Sequence, residues 1–188
     1  MVAGVLVGVL TSASSNALSP AVSAAHITMN SGWFWAALAY LVGLSLQSRG
    51  IAALMGSASL IGAVLSYYTL QLSQGKFEIV DFEAAHFETH TYWAGYFSKV
   101  IFWCIAACAF GSISGIAGHE ARRGHGKFVL IWRTFIPVLA ILEAFARLHL
   151  EVPSGSLVET VWYTTFLCAV VMIAIMVSRE AFFALRSM

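Results

Sequence analysis

Charged residues are scarce in this chain. Its 188 residues include 10 Lys or Arg and 9 Asp or Glu, and the formal net charge is +1. Nucleic-acid binding depends on a clustered basic surface that neutralises phosphates, and the sequence has no long basic run. The scarcity of charge therefore excludes a nucleic-acid partner for a chain that is 60% hydrophobic.

Cysteine is scarce as well. The three cysteines, Cys104, Cys108 and Cys168, are an odd number, and none stands in Cys-x-x-Cys spacing. The sequence therefore predicts neither a disulfide framework nor a zinc or redox site of that type. Haem held between helices would require histidines inside the apolar segments, whereas all six histidines fall in predicted loops or at helix ends. Haem is disfavoured as a cofactor.

Long apolar segments make up most of the chain. A bilayer core about 30 Å thick takes roughly 20 helical residues to cross, so this length allows six crossings and no second domain. The sequence predicts one all-α transmembrane domain over 1–188, an integral membrane bundle of about six helices. Their predicted ranges are 2–18, 32–48, 51–73, 94–117, 128–149 and 158–178.

The positions of basic residues predict the orientation. Arg49 lies between predicted helices two and three, Arg122 and Arg123 between four and five, and Arg179 and Arg186 after six. Basic connections favour the cytoplasmic side, which predicts a multi-pass protein of the inner (plasma) membrane with both termini in the cytoplasm. The outer connection 74–93 is predicted to form a short interfacial helix or a lid.

Small residues recur at four-residue spacing on two predicted helices. Gly4, Gly8 and Ser12 form such a stripe on helix one and continue to Asn16, while Gly111 and Gly115 follow Ala107 on helix four. Such stripes let helix backbones approach closely, either within one chain or between protomers. Besides membrane lipids, the predicted partners are therefore a membrane protein or a second copy, bound through helices one and four.

The 74–93 connection contains candidate metal ligands. In a helix, Glu83, His86 and His90 would share one face, because they are spaced at i, i+3 and i+7. Two imidazoles and a carboxylate can bind a divalent metal ion. A solvated polar loop and a lid over an organic ligand are the alternative interpretations.

Predicted helix five contains charges within an apolar span. Glu143 falls roughly 10 Å below the outer interface at 1.5 Å per residue, and Arg147 follows at i+4. The two side chains either neutralise each other or line an outward cavity that Pro137 helps to open by kinking the helix. The candidate ligand-binding residues are Glu143, Arg147, His149, Trp33 and Trp93.

Several segments resemble a known family. The stretches NSGWFWAALAYLVG, ASLIGAVLSYYTLQ, FGSISGIAGHEARRG and LAILEAF resemble a bacterial family of small polytopic membrane proteins of unknown function. A looser resemblance, in length, six helices and a small-residue first helix, is to the S components of energy-coupling-factor transporters. That second resemblance implies capture of a vitamin or metal ion near the outer face.

These observations favour a small-solute or metal-ion binding, transport-related membrane protein with an outward-facing site. The alternative is a non-catalytic scaffold or accessory subunit of a larger membrane complex. No paired carboxylates, nucleophile motif or closed metal signature appears at a consistent depth, so the sequence does not predict an enzyme.

Overall fold

The computed structural model describes residues 2–14, 19–80, 89–124, 128–150 and 156–186. Within these ranges the chain is all-α apart from one small hairpin, as predicted. Its helices are α1 (Val2–Ala13), α2 (Pro20–Met29), α3 (Gly32–Ser45), α4 (Arg49–Ser73), α5 (Trp93–Arg123), α6 (Val129–Arg133), α7 (Phe135–Leu150) and α8 (Leu157–Arg186). The hairpin strands are β1 (Glu78–Val80) and β2 (Thr89–Thr91).

Three of the described helices are long and apolar enough to cross a membrane. They are α4, α5 and the Leu157–Glu180 part of α8, with 25, 31 and 24 residues and mean hydropathies of 1.6, 2.0 and 2.1. At a rise of about 1.5 Å per residue each exceeds the roughly 30 Å of a bilayer core. The apolar helices α1 and α3 are shorter, with 12 and 14 residues. The long helices give the chain the character of a membrane protein.

The centre of the bundle is the antiparallel pair α4 and α5. Gly56 of α4 faces Gly111 of α5, and a Cβ atom built on Gly111 would lie 2.6 Å from the Cα atom of Ser57. Because no side chain separates the two backbones, the Ser57 hydroxyl reaches the carbonyl oxygen of Cys108 at 2.9 Å. The small-residue spacing on α5 therefore specifies packing within the chain.

Helix α1 packs alongside the C-terminal half of α4 and runs parallel to it. Its stripe Gly4, Gly8 and Ser12 is buried, with Gly4 against Ser59 and Gly8 against Ala63. The stripe thus packs against α4 within the chain, which is one of the two possibilities that its spacing allowed. The described helix runs to Ala13, and residues 15–18 of the predicted helix, with Asn16 among them, lie outside the described residues.

The longer helices alternate in direction. The N-terminus of α3 lies near the C-terminal end of α4, where the rings of Trp35 and Tyr67 are 6.3 Å apart. Helix α7 starts beside the C-terminal end of α5 and finishes at the N-terminus of α3, and α8 returns alongside α7. We call the end of the bundle with the α3 N-terminus the Glu143 end, and the opposite end, with the α5 C-terminus, the Glu120 end.

The predicted fifth helix is interrupted. Helix α6 ends at Arg133, Thr134 is a turn residue, and α7 begins at Phe135. Pro137 explains the position of the break, because proline has no N–H to donate to the carbonyl four residues earlier and its ring crowds that carbonyl. The helix is therefore interrupted at Thr134, three residues before Pro137, and the kink expected from Pro137 stays a prediction.

Two connections contain regular structure that the sequence did not predict. The 19–31 connection contains the helix α2, which begins with Ser19 as its N-cap and Pro20 in its first turn. The 74–93 connection has strands instead of an interfacial helix at its described ends, where Ile79 pairs with His90. Alternating polar and β-branched or aromatic residues favour strands there. Residues 81–88 of this connection lie outside the described residues.

Candidate functional site

The carboxylate of Glu143 binds the N-terminus of α3. One oxygen accepts a hydrogen bond from the backbone N–H of Gly32 at 3.0 Å, and the other accepts one from Trp33 at 2.8 Å. A helix N-terminus carries N–H groups without partners in the helix and the positive end of the helix dipole, so it stabilises an anion. Glu143 therefore caps a helix that lies 111 residues earlier in the chain.

The residue at the N-cap position of α3 does not supply this cap itself. Ser31 is buried, but its hydroxyl donates to the carbonyl oxygen of Thr28 at 2.6 Å and makes no hydrogen bond to the start of α3. In hydrocarbon an unsatisfied N–H group costs several kcal/mol. A carboxylate delivered by α7 is thus the described group that satisfies the first N–H groups of α3.

Arg147 lies beside this capped helix end. Its guanidinium is 4.0 Å from a Glu143 oxygen, and the side chains are 42% and 20% exposed, respectively. The same guanidinium lies over the ring of Trp162 in α8, 5.9 Å from the ring centroid. Arg147 therefore bridges α7 and α8. The predicted Glu143–Arg147 pair is present, but it is weaker than the hydrogen bonds that Glu143 accepts from Gly32 and Trp33.

The side chain of Trp33 contains a buried donor. Its indole Nε1 is shielded from solvent and has no hydrogen-bond partner among the described residues. The backbone of the same residue donates to Glu143, so the indole belongs to the same end of the bundle. We call Glu143, Arg147, Trp33 and Trp162 the capped junction.

The other two predicted ligand-binding residues, His149 and Trp93, contact residues outside the capped junction. The Nδ1 atom of His149 is 2.9 Å from the carbonyl oxygen of Phe145 on the same helix, and the two rings are 4.1 Å apart. Trp93 starts α5 and stacks on Phe97. The capped junction thus brings together three of the five predicted residues.

The predicted metal ligands are only partly described. Glu83 and His86 lie outside the described residues, whereas His90 is exposed in β2. The metal site at these three residues therefore stays a prediction. Within the described ranges, no group of three or more His, Cys, Asp or Glu side chains could hold a metal ion.

Several contacts were not anticipated from the sequence. At the Glu120 end, Arg49 lies 3.6 Å from Glu120, and Arg133 forms an ion pair with Glu180. Trp162, which the sequence does not single out, is buried beneath Arg147. Each of these partners comes from a different helix, so residue spacing along one helix gives no signal for them.

The fold and the capped junction define an all-α protein that has three helices long and apolar enough to span a membrane and a charged junction near one end. The chain belongs to the family of unknown function DUF6518, whose model matches residues 1–187. Membership confirms that the chain belongs to a family of unknown function, and the resemblance to S components stays a prediction. No curated protein and no solved structure matches the chain.

Proposed function

We propose that the chain crosses the inner (plasma) membrane six times, with both termini in the cytoplasm. The crossings are α1, α3, α4, α5, the interrupted helix α6–α7 and α8. Their alternating direction supports this topology, because α1 and α4 run parallel while their sequence neighbour α3 runs the opposite way. The basic residues at the Glu120 end support a cytoplasmic position for that end.

Within this topology the capped junction opens outward and binds a small solute that carries a hydrogen-bond acceptor, such as a carboxylate. The observation that carries this proposal is that two residues with side-chain donors, Trp33 and Arg147, both contact Glu143. The buried Trp33 indole N–H has no described partner, and the Arg147 guanidinium remains 42% exposed. A buried donor without a partner is costly, and a ligand acceptor would relieve that cost.

The junction favours an anionic solute over a metal ion. Both Glu143 oxygens already accept backbone N–H groups, and a guanidinium lies 4.0 Å from one of them. A carboxylate used in this way has few lone pairs left, and the nearby cation repels a second cation. Glu143 is accordingly a positioning residue, and Arg147 and Trp33 are the recognition residues.

Thermal unfolding of the purified chain in detergent tests this function. The probes are biotin, pantothenate, glutamate and citrate, with Zn²⁺, Co²⁺ and Ni²⁺ as a separate series. A ligand at 100 times its Kd stabilises the native state by about 2.7 kcal/mol, which gives a readily measured shift. We expect a carboxylate to stabilise the chain, and Arg147→Gln or Trp33→Phe to reduce that shift.

The matched control is Trp93→Phe, because Trp93 stacks on residues of its own helix away from the described contacts of Glu143. This variant should keep the full ligand shift. Stabilisation by none of the carboxylates, or equal losses in the Trp33 and Trp93 variants, would remove the basis for a solute site at the capped junction.

The alternative function is a non-catalytic accessory subunit, and α8 is the feature that favours it. Helix α8 has 30 residues, but Trp162 and Ala169 are its buried side chains among those described. Its described contacts are with α7, α2 and α6, so one side remains open to lipid or to a partner helix. Copurification of one membrane protein in stoichiometric amount, lost on Val170→Trp, would favour this alternative over solute binding.

A further inference from the structure

A cavity at the Glu120 end lies between α6 and the C-terminal part of α8. Its volume is about 450 Å³, and its lining residues are Arg133, Met176, Arg179 and Glu180. Small-molecule sites in proteins occupy roughly 300–1,000 Å³, so this cavity has the size of a small ligand or a lipid headgroup.

The charges in the cavity do not balance. Arg133 is fixed, because its Nε–H donates to the carbonyl oxygen of Ala121 at 3.3 Å and a terminal nitrogen pairs with Glu180. Arg179 is exposed and forms no hydrogen bond or ion pair with another described residue. One carboxylate therefore faces two guanidinium groups, and the described lining carries one excess positive charge.

The arrangement along α8 separates apolar from charged groups. Met176 precedes Arg179 by three residues and Glu180 by four, so the three side chains lie on neighbouring positions of one helix face. The thioether lies on the side towards the middle of the helix, and the charges lie towards its C-terminus. An amphipathic ligand with an apolar part beside Met176 and an anionic group beside Arg179 fits this order.

We propose that this cavity binds a phosphate group, with Arg179 as the recognition residue and Arg133 as a second donor. Guanidinium matches phosphate oxygens with parallel N–H donors, and Arg133 keeps N–H groups beyond the two that are used. The phosphate belongs either to an anionic phospholipid of the cytoplasmic leaflet or to a soluble phosphate ester. The lipid source rests on the topology proposed above, whereas the phosphate chemistry does not.

Native mass spectrometry of the purified full chain in detergent tests this site. The chain is titrated with short-chain phosphatidylglycerol, with short-chain phosphatidylcholine and with glycerol 3-phosphate. We expect one phosphatidylglycerol to bind per chain and Arg179→Gln to weaken that binding about tenfold or more, since a hydrogen bond to a charged group is lost. Phosphatidylcholine, which has no net charge, should bind more weakly.

The matched control is Arg123→Gln, because Arg123 is exposed at the same end of the bundle and does not line the cavity. This variant should change the affinity less than about twofold, as expected for screened charges. Equal losses in the two variants would mean unspecific attraction to basic residues and would overturn the site. Absence of stoichiometric binding of any phosphate compound would overturn it as well.

The titrations with phosphatidylglycerol and glycerol 3-phosphate also identify the source of the phosphate. Preferential binding of phosphatidylglycerol assigns the cavity to a lipid headgroup, whereas equal affinity for glycerol 3-phosphate assigns it to a soluble ester. Neither result depends on the capped junction, since Arg179 lies at the opposite end from Arg147. Failure of this site and failure of solute binding at the outer end are therefore separate outcomes.

Discussion

Replacement of Glu143 should destabilise the protein mainly through the N-terminus of α3. Glu143→Ala removes two hydrogen bonds from backbone N–H groups to a carboxylate, at 3.0 and 2.8 Å. Each such bond contributes about 1.5–3 kcal/mol, and partial hydration at a 20% exposed side chain offsets some of the loss. We expect the free energy of unfolding to fall by about 3 kcal/mol.

Two further substitutions separate the cap from the ion pair. Glu143→Gln keeps one acceptor oxygen but turns an NH₂ group towards the other N–H, so about 1.5 kcal/mol should be lost. Arg147→Gln removes a 4.0 Å contact to Glu143 and the contact with Trp162, which should cost about 1 kcal/mol, since half-exposed ion pairs contribute little. The expected order of loss is therefore Glu143→Ala, Glu143→Gln, Arg147→Gln.

Unfolding by sodium dodecyl sulfate in mixed micelles, followed by circular dichroism, measures these differences. Variants Arg147→Gln and Glu143→Gln that were both as unstable as Glu143→Ala would contradict the cap, because glutamine keeps one acceptor oxygen but no charge, and would favour a charge pair as the main partner of Glu143. Hydrogen exchange of the Gly32 and Trp33 amides gives a local check. Both amides should lose protection in Glu143→Ala.

Two more substitutions test the packing and the helix break. Gly115→Ala should lower the free energy of unfolding by about 1–3 kcal/mol, because its Cβ would overlap the Ala52 carbonyl oxygen. Its control is Gly50→Ala, which has nothing within 4 Å of its Cβ and should be neutral or slightly stabilising in the same unfolding assay. Equal effects of the two substitutions would refute the close approach of α4 and α5. Pro137→Ala should join α6 and α7 by restoring the missing N–H. The expected result is slowed amide exchange around Thr134 and a new, protected amide at residue 137. Unchanged exchange around Thr134 would assign the break to another cause.

Much of the bundle follows from the sequence because its helices are specified locally. The apolar lengths predict the helical segments, and the small-residue spacing identifies the packed faces of α1 and α5, since both depend on the 3.6-residue period alone. The position of Pro137 likewise predicts a kink. Strands around Ile79 and His90 were missed because a helical pattern of ligands was favoured over the alternation of strand-forming residues.

The capped junction could only be half predicted. The spacing of Glu143 and Arg147 on one helix suggests an ion pair, which the structure contains at 4.0 Å. The stronger contact, to the N-terminus of α3, joins residues more than 100 positions apart and depends on how α7 packs against α3. No local pattern reports such a contact, and Ser31 at the N-cap position suggests that the helix caps itself.

The departure of Ser31 from its expected role has a physical consequence for the whole bundle. If Ser31 capped α3 locally, the first turn of α3 would be satisfied without α7. Because its hydroxyl binds Thr28 instead, the start of α3 depends on a carboxylate from α7, and Arg147 of the same helix contacts Trp162 of α8. Helices α7 and α8 are thereby fixed to α3 at the Glu143 end. Any movement of α7 away from α3 at this end must break charged hydrogen bonds, so a solute that binds beside Arg147 would act on the contact that holds these helices together.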